Sequence, residues 1–188
     1  MASHAESNME NLVSKEYKEL LEKKHNKTLK SWGGAVRGME QDIHKYLVIS
    51  KAKSILDYGA GASDFRKAIE FTYGHETLPY TVHEYEPGIP ELAGDPPICD
   101  ATICIDVLEH IEPDKIDNVL QHINDKTNNW VLFKVCLRAA NGAFPTGENL
   151  HLTIRKADWW LAKFSKHWYS IDIGTNNAGH LNYLAVKK

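Results

Sequence analysis

The sequence has few cysteines, no long apolar run and no strong excess of charge, and each shortage excludes a class of protein. Three cysteines are an odd number and show no CxxC spacing, which excludes a disulfide scaffold and indicates buried thiols in a reducing compartment. No apolar run approaches membrane-spanning length, and the first twenty residues lack the apolar core of a signal peptide. We therefore predict a cytoplasmic protein with no membrane partner.

Charge and histidine spacing exclude two further classes. The chain has 22 basic and 25 acidic residues, a net charge of −3, whereas a domain that binds nucleic acid throughout is usually strongly basic. The net charge therefore argues against a nucleic-acid partner, although a local basic patch could still exist. The ten histidines include no HxH or HxxxH pair, so the sequence predicts no metal site.

Strand-like and helix-like segments alternate from residue 54 onward, which is typical of a doubly wound α/β sheet. The predicted strands are SILDY, YTVHEYE, ATICIDV and WVLFKVCL, followed by a closing hairpin of WYSIDIG and LNYLAVKK. The predicted helices are SDFRKAIEF, capped by Ser63 or Asp64, PDKIDNVLQHI, with Pro113 in its first turn, and RKADWWLAKFSKH. In the last of these, Trp159 and Trp160 are predicted to be one partly exposed and one core residue.

Two further helices are predicted before the first strand. Residues 15–30 are amphipathic, and residues 37–50 are predicted to turn Met39, Ile43, Tyr46 and Leu47 inward. We predict that residues 1–50 form an N-terminal helical segment on the substrate side and that residues 51–188 form the α/β domain.

An acidic residue and two glycines follow the first predicted strand in the stretch ILDYGAGAS. Gly59 and Gly61 allow a sharp turn and a close approach of a ligand to the backbone, because they carry no Cβ. The dinucleotide fingerprint has a third glycine, and the carboxylate of Asp57 would repel a pyrophosphate. The pattern therefore disfavours a nucleotide-dependent oxidoreductase, and the carboxylate would suit an ammonium group or a water network below a zwitterion.

Three motifs in order resemble those of the class I S-adenosylmethionine-dependent methyltransferases. ILDYGAGAS looks like motif I with Ser63 in place of its third glycine, VHEYEPGIPE resembles the second-strand motif, and CDATICIDVLEHI is similar to the fourth-strand signature. The resemblance covers residues 54–111 and continues less specifically to the end of the chain. It implies a Rossmann-like, mostly parallel sheet with a C-terminal antiparallel hairpin, and a transferase that uses S-adenosylmethionine.

The resemblance also implies the cofactor-binding residues. Glu86 would hold the ribose hydroxyls, Asp57 would orient the ammonium or its waters, and Asp106 would lie beside the sulfonium. Glu84 or Tyr85 could replace Glu86, and Asp106 could instead be a helix cap. The full predicted set is Asp57, Gly59, Ala60, Gly61, Glu86, Asp106 and Val107. The family's third strand is hard to find between residues 86 and 100, and Asp95 or Asp100 could make the adenine contact that follows it.

The catalytic candidates are His151, after the loop that follows the WVLFKVCL strand, and His110. His110 could be a base or a structural histidine that ties its own loop, after the ATICIDV strand, to its neighbours. A Lys30–Asp106–Lys134–Glu148 tetrad, as in ribose 2′-O-methyltransferases, could also be assembled, although Lys134 falls within a strand. The acceptor is predicted to be a small metabolite or an exposed group on a larger molecule. The alternative is a methyltransferase-like binding module without catalysis.

Overall fold

A six-stranded sheet forms the centre of the computed structural model, which describes residues 11–27 and 36–188. The strands follow one another in the order β2-β1-β3-β4-β6-β5 across the sheet. Their bounds are β1 (Ser54–Tyr58), β2 (Thr81–Tyr85), β3 (Cys99–Ile105), β4 (Thr127–Cys136), β5 (Trp168–Thr175) and β6 (His180–Lys187). The neighbours among β1 to β4 pair in parallel, whereas β6 is antiparallel to both β4 and β5. The predicted doubly wound sheet with a C-terminal antiparallel hairpin is confirmed.

The order of the strands defines where a ligand would bind. The chain passes from β1 outward to β2 and then returns to the other side of β1 to form β3. In open α/β sheets, ligands bind beyond the carboxyl ends of the strands at such a reversal. Residues 59–61, 86–88 and 106–110 follow β1, β2 and β3, so these turns meet at that edge.

Helices flank the sheet and its carboxyl edge. They are α1 (Lys15–Lys27), α2 (Glu40–Ile49), α3 (Asp64–Tyr73), α4 (Ile116–Asp125) and α5 (Ala157–Phe164). Ile43 and Leu47 of α2 pack with Phe65 and Ile69 of α3 on one face. On the other face, α5 packs against β4 and the hairpin, with Trp160 fully buried and Trp159 partly exposed, as predicted.

Three local predictions are wrong. Helix α4 begins at Ile116, and Pro113 lies in the turn before it. Ser63 has a left-handed φ of 62°, and neither its side chain nor that of Asp64 caps α3, because the turn rather than a cap fixes the start of this helix. Tyr46 is 38% exposed instead of inward.

The segment between β2 and β3 contains no strand. Residues 86–98 form only a short 3₁₀ turn at Pro90–Leu92, because prolines occupy positions that a strand would need for hydrogen bonding. The family's third strand and its following helix are therefore missing here, as the sequence indicated. No helix within residues 11–27 or 36–188 is long and apolar enough to cross a membrane.

Candidate cofactor and acceptor site

A cavity of about 500 Å³ lies at the carboxyl ends of β1, β2 and β3. Its walls come from the turn after β1, from Glu86, from Asp106 and Val107, and from the two histidines His110 and His151. The first residues of the described N-terminal segment and α1 also line it. Its volume is in the usual range for a small-molecule site. The structure thus brings most of the predicted site residues together around one space.

The glycine turn is held against β2 by backbone hydrogen bonds. The N–H groups of Gly59 and Ala60 both donate to the carbonyl oxygen of Tyr85, at 2.8 and 3.1 Å. Gly59 has a φ of +81°, and a Cβ at this position would lie 2.4 Å from a methyl carbon of Val107. Ala60 is buried and contributes through its backbone. The turn therefore needs glycine at position 59 for both its conformation and its contact with Val107.

Glu86 is held with its carboxylate at the cavity. Its Oε2 accepts a hydrogen bond from the N–H of Gly61 at 3.2 Å, and its Oε1 accepts one from the N–H of Gly88 at 3.0 Å. A carboxylate has about four acceptor positions, so it can accept from hydroxyl donors as well as from backbone N–H groups. Glu84, the alternative, pairs instead with Arg66 of α3 (2.7 Å) and does not line the cavity.

Asp57 lies beneath the glycine turn and is only 7% exposed. Burial, with the nearby carboxylates of Glu84 and Glu86, raises the pKa of Asp57 to about 8. No group in the described ranges hydrogen-bonds to its carboxylate. Asp57 is not part of the cavity wall, so it would act on a bound cation through its field or through a water.

The buried Asp57 gives a testable pH dependence. In the folded protein its pKa is raised from 3.8 to about 8, so the folded state holds a proton that the unfolded chain releases in this interval. The contribution of Asp57 to stability is therefore full below the lower value and falls as pH rises toward the upper one. In urea unfolding at pH 5.5 and pH 8, wild type is expected to lose more stability with rising pH than Asp57→Asn. Equal losses in the two proteins would contradict this.

Asp106 follows β3 in a left-handed conformation, with a φ of 52°, and its carboxylate pairs with Lys134. Its Oδ2 lies 3.0 Å from Nζ of Lys134, while its Oδ1 lies 3.8 Å from Nε2 of His180. The 3₁₀ turn that follows starts after Val107, so Asp106 is not its cap. Of the alternative tetrad, Glu148 is exposed and does not line this cavity, and Lys30 lies outside the described residues.

The candidate histidines His110 and His151 contact each other edge to face, with ring centroids 4.7 Å apart. Nδ1 of His110 donates to the carbonyl oxygen of Leu150 at 2.8 Å, and Nδ1 of His151 donates to that of Arg138 at 2.5 Å. His110 thus ties the loop after β4 to the turn after β3, and it lines the cavity as well.

Glu109 lies beside these two histidines and was not among the residues predicted for the site. Its side chain is fully buried, and Oε1 accepts a hydrogen bond from the N–H of Cys136 at 2.9 Å. Burial, together with the nearby Asp106 carboxylate, raises the pKa of Glu109 to about 8. A buried carboxyl directly beside two histidines is therefore part of the same site.

Solved structures decide the fold. The first is the Burkholderia thailandensis 1,6-didemethyltoxoflavin-N1-methyltransferase with bound 1,6-didemethyltoxoflavin and S-adenosylhomocysteine, with a TM-score of 0.61 and 16% identity over 92% of this chain and 89% of that one. Human N-acetylserotonin methyltransferase in complex with S-adenosylmethionine has a TM-score of 0.61 and 14% identity, over 88% of this chain and 56% of that one. The magnesium protoporphyrin IX methyltransferase of Synechocystis has a TM-score of 0.52 and 11% identity, over 80% of this chain and 82% of that one. The chain has the class I methyltransferase fold. No family model matches the sequence, and no curated protein is significantly similar to it.

Within this methyltransferase fold, α1 and the loop after β4 form the roof of the cavity. Tyr17 of α1 packs edge to face on Phe144 of the loop, with ring centroids 5.7 Å apart. The N–H of Ser14 donates to the carboxylate of Glu112 at 2.9 Å. Tyr17 lines the cavity, and its buried hydroxyl has no hydrogen-bond partner in the described segments. Sequence reasoning did not place Tyr17 in the cavity wall, because it has the spacing of an ordinary core residue.

Neither acid proposed for the adenine contact lines the cavity of the methyltransferase fold. Asp95 is exposed and pairs with Lys126 at 2.6 Å. Asp100 lies at the start of β3, on the opposite edge of the sheet, and accepts a hydrogen bond from the N–H of Lys53. The cavity wall beside Glu86 is instead apolar and aromatic, with Tyr58, Tyr85 and Val119.

Proposed function

We propose that the protein transfers a methyl group from S-adenosylmethionine to an acceptor that enters the cavity beside Asp106, His110 and His151. The observation that carries this proposal is the Glu86 carboxylate, fixed by the N–H groups of Gly61 and Gly88 at the end of β2. When bound, the cofactor supplies an electrophilic methyl group on a sulfonium and leaves as a neutral thioether.

The residues present fit this cofactor. Glu86 offers acceptor positions to two ribose hydroxyls. Gly59 and Gly61 line the cavity, so a ligand can approach the backbone of the turn closely, while the side of Gly59 where a Cβ would lie packs against Val107. Asp57 gains a favourable partner when an ammonium group binds nearby, because a cation offsets the burial that raises its pKa. The aromatic wall of Tyr58 and Tyr85 suits a flat, apolar ring.

The acceptor side of the cavity provides groups that can orient a nucleophile and take its proton. The Nδ1 of His151 is the donor to a carbonyl oxygen, so its Nε2 carries the lone pair. Asp106 and Lys134 form an ion pair at the same edge of the sheet, which can orient a polar acceptor. The enclosed volume suits a small molecule or a group projecting from a larger one. Methyl transfer then depends mainly on holding the acceptor in line with the methyl group.

A binding module is the second candidate, and the missing third strand favours it. Residues 86–98 replace a strand and helix that would otherwise form one side of the adenine pocket. A protein of this kind would bind the cofactor or a partner without turning over.

Calorimetric titration with S-adenosylmethionine and S-adenosylhomocysteine tests the proposal first. We expect micromolar binding of both ligands by the wild-type protein. Tritium transfer from methyl-labelled S-adenosylmethionine is then measured with small-molecule and macromolecular fractions of a cell extract. Binding with labelling of one fraction supports the enzyme. Binding without labelling of either fraction favours the module, and no binding by a folded sample overturns both cofactor-dependent functions.

A further inference from the structure

We propose that Glu109, His110 and His151 form a binding site for one divalent transition-metal ion at the acceptor side of the cavity. The metal site stands on the geometry of these three side chains. Its use in catalysis, to activate a hydroxyl acceptor, rests on the methyl transfer proposed above.

The three side chains already have the separation that a metal requires. One ligand atom from each of them lies within 4.8 Å of the corresponding atoms of the other two. An ion about 2.0–2.2 Å from each atom would need only small side-chain movements. Glu109 is fully buried, and its Oε2 has no hydrogen-bond partner among the residues that the structure describes. A buried carboxylate oxygen without a donor is costly unless a cation or another group binds it.

The outer hydrogen bonds of these residues are those of metal ligands. A ligating histidine usually donates its other ring N–H to a carbonyl or carboxylate, which fixes the tautomer and the ring orientation. Both histidines do this here through Nδ1, to the carbonyl oxygens of Leu150 and Arg138, so the metal would bind at Nε2. The other oxygen of Glu109, Oε1, is fixed by the N–H of Cys136.

The backbone around the cluster is also held in place. The N–H of Thr153 donates to the carbonyl oxygen of Glu109 at 2.9 Å, and the hydroxyl of Thr153 donates to that of Ile111 at 2.7 Å. The side chain of Asn149 accepts a hydrogen bond from the N–H of His151 at 2.9 Å and also from that of Ala140 at 3.0 Å. These bonds fix the loop that carries His151 over the turn that carries His110.

Two imidazoles and one carboxylate select the kind of metal. This set suits Zn²⁺, Mn²⁺, Fe²⁺ or Co²⁺, whereas Mg²⁺ and Ca²⁺ prefer ligand sets made of oxygen. Three protein ligands leave coordination positions open, and His110 and His151 line the cavity. The open positions therefore face the acceptor.

The metal would activate a hydroxyl acceptor. A coordinated hydroxyl has a lowered pKa and loses its proton to solvent near neutral pH. An oxygen lone pair then forms the new C–O bond with the methyl carbon, and the C–S bond breaks with its electron pair returning to sulfur. This removes the need for a strong protein base at the acceptor.

Calorimetric titration with Mn²⁺ and absorption titration with Co²⁺ test the site on the full chain. Wild type is expected to bind one equivalent, and Glu109→Gln and His151→Gln are expected to lower the affinity at least 10-fold, since even partners of metal ligands have effects of about 10–100-fold. His75→Gln is the matched control, because His75 also lies beside a carboxylate, Glu70 (2.9 Å), but on an exposed surface. This control should bind metal like wild type.

Two results would overturn the metal site. One is a folded wild type that binds neither ion below about 1 mM, which corresponds to about −4 kcal/mol of binding free energy. The other is His151→Gln binding as tightly as wild type, and this variant stays informative if the buried Glu109 variant fails to fold. S-adenosylhomocysteine is titrated into the same samples. Lost metal binding with intact cofactor binding overturns the metal site alone, whereas intact metal binding without cofactor binding overturns the proposed function alone.

Discussion

Replacing Glu86 with alanine is expected to weaken the binding of S-adenosylhomocysteine at least 100-fold. The variant loses both acceptors for the ribose hydroxyls, and a hydrogen bond to a charged group contributes about 1.5–3 kcal/mol. It also removes the acceptor of the Gly61 and Gly88 N–H groups, so the turn after β1 loses a contact that shapes the cavity. Both effects act in the same direction on affinity.

Glu84→Ala is the matched control for this prediction. Glu84 belongs to the same strand, two residues earlier, but its carboxylate pairs with Arg66 and lies outside the cavity wall. Calorimetry should show near-wild-type affinity for Glu84→Ala and a loss for Glu86→Ala, with both proteins folded by circular dichroism. If the two variants bound equally well, Glu86 would not be the ribose acceptor, and the proposed function would lose its main support.

The sequence predicted the sheet and the residues that lie next to each strand end. Runs such as SILDY and ATICIDV are apolar because parallel strands are buried on both faces, so their ends could be located within one or two residues. The residues after such ends meet at one edge of the sheet. This is why Gly59, Glu86 and Asp106, each from a different turn, were predicted together and do line one cavity.

Contacts between residues far apart in sequence were not predictable. His151 lies 41 positions beyond His110, and only the fold of the loop after β4 places the two rings in contact. Histidine spacing along the chain therefore indicated no metal site, although ligand atoms of Glu109, His110 and His151 lie within 4.8 Å of one another. Lys134 was noted only for a tetrad. Its ion pair with Asp106 depends on the parallel register between β3 and β4, which is not visible in the sequence.

The buried acid of the strand and the glycine turn have a common explanation. An acid at position 57 with a raised pKa destabilises the folded protein near neutral pH, and the left-handed backbone at 59, 61 and 63 suits glycine better than serine. Neither feature is explained by packing alone. Both are explained if the turn is shaped around a ligand with an ammonium group.

Gly59→Ala is expected to destabilise the protein by about 2–5 kcal/mol, from about 1–2 kcal/mol for a left-handed alanine and about 1–3 kcal/mol for overpacking. The added Cβ would lie 2.4 Å from one methyl carbon of Val107 and 2.8 Å from the other. Urea unfolding measures the loss. Gly94→Ala is the control, because Gly94 has no left-handed φ and no atom within 4 Å of a Cβ, so its stability should change by less than about 1 kcal/mol.

The double variant Gly59→Ala/Val107→Ala separates the two causes. Val107→Ala alone removes two partly buried methyl groups and should cost about 1 kcal/mol. In the double variant the collision with the valine methyl groups is gone, while the backbone strain at position 59 stays. The double variant should therefore lose less stability than the sum of the two single losses, by about 1–3 kcal/mol. Such a coupling is expected only for residues in contact. Additive losses would contradict the close packing of Val107 against Gly59.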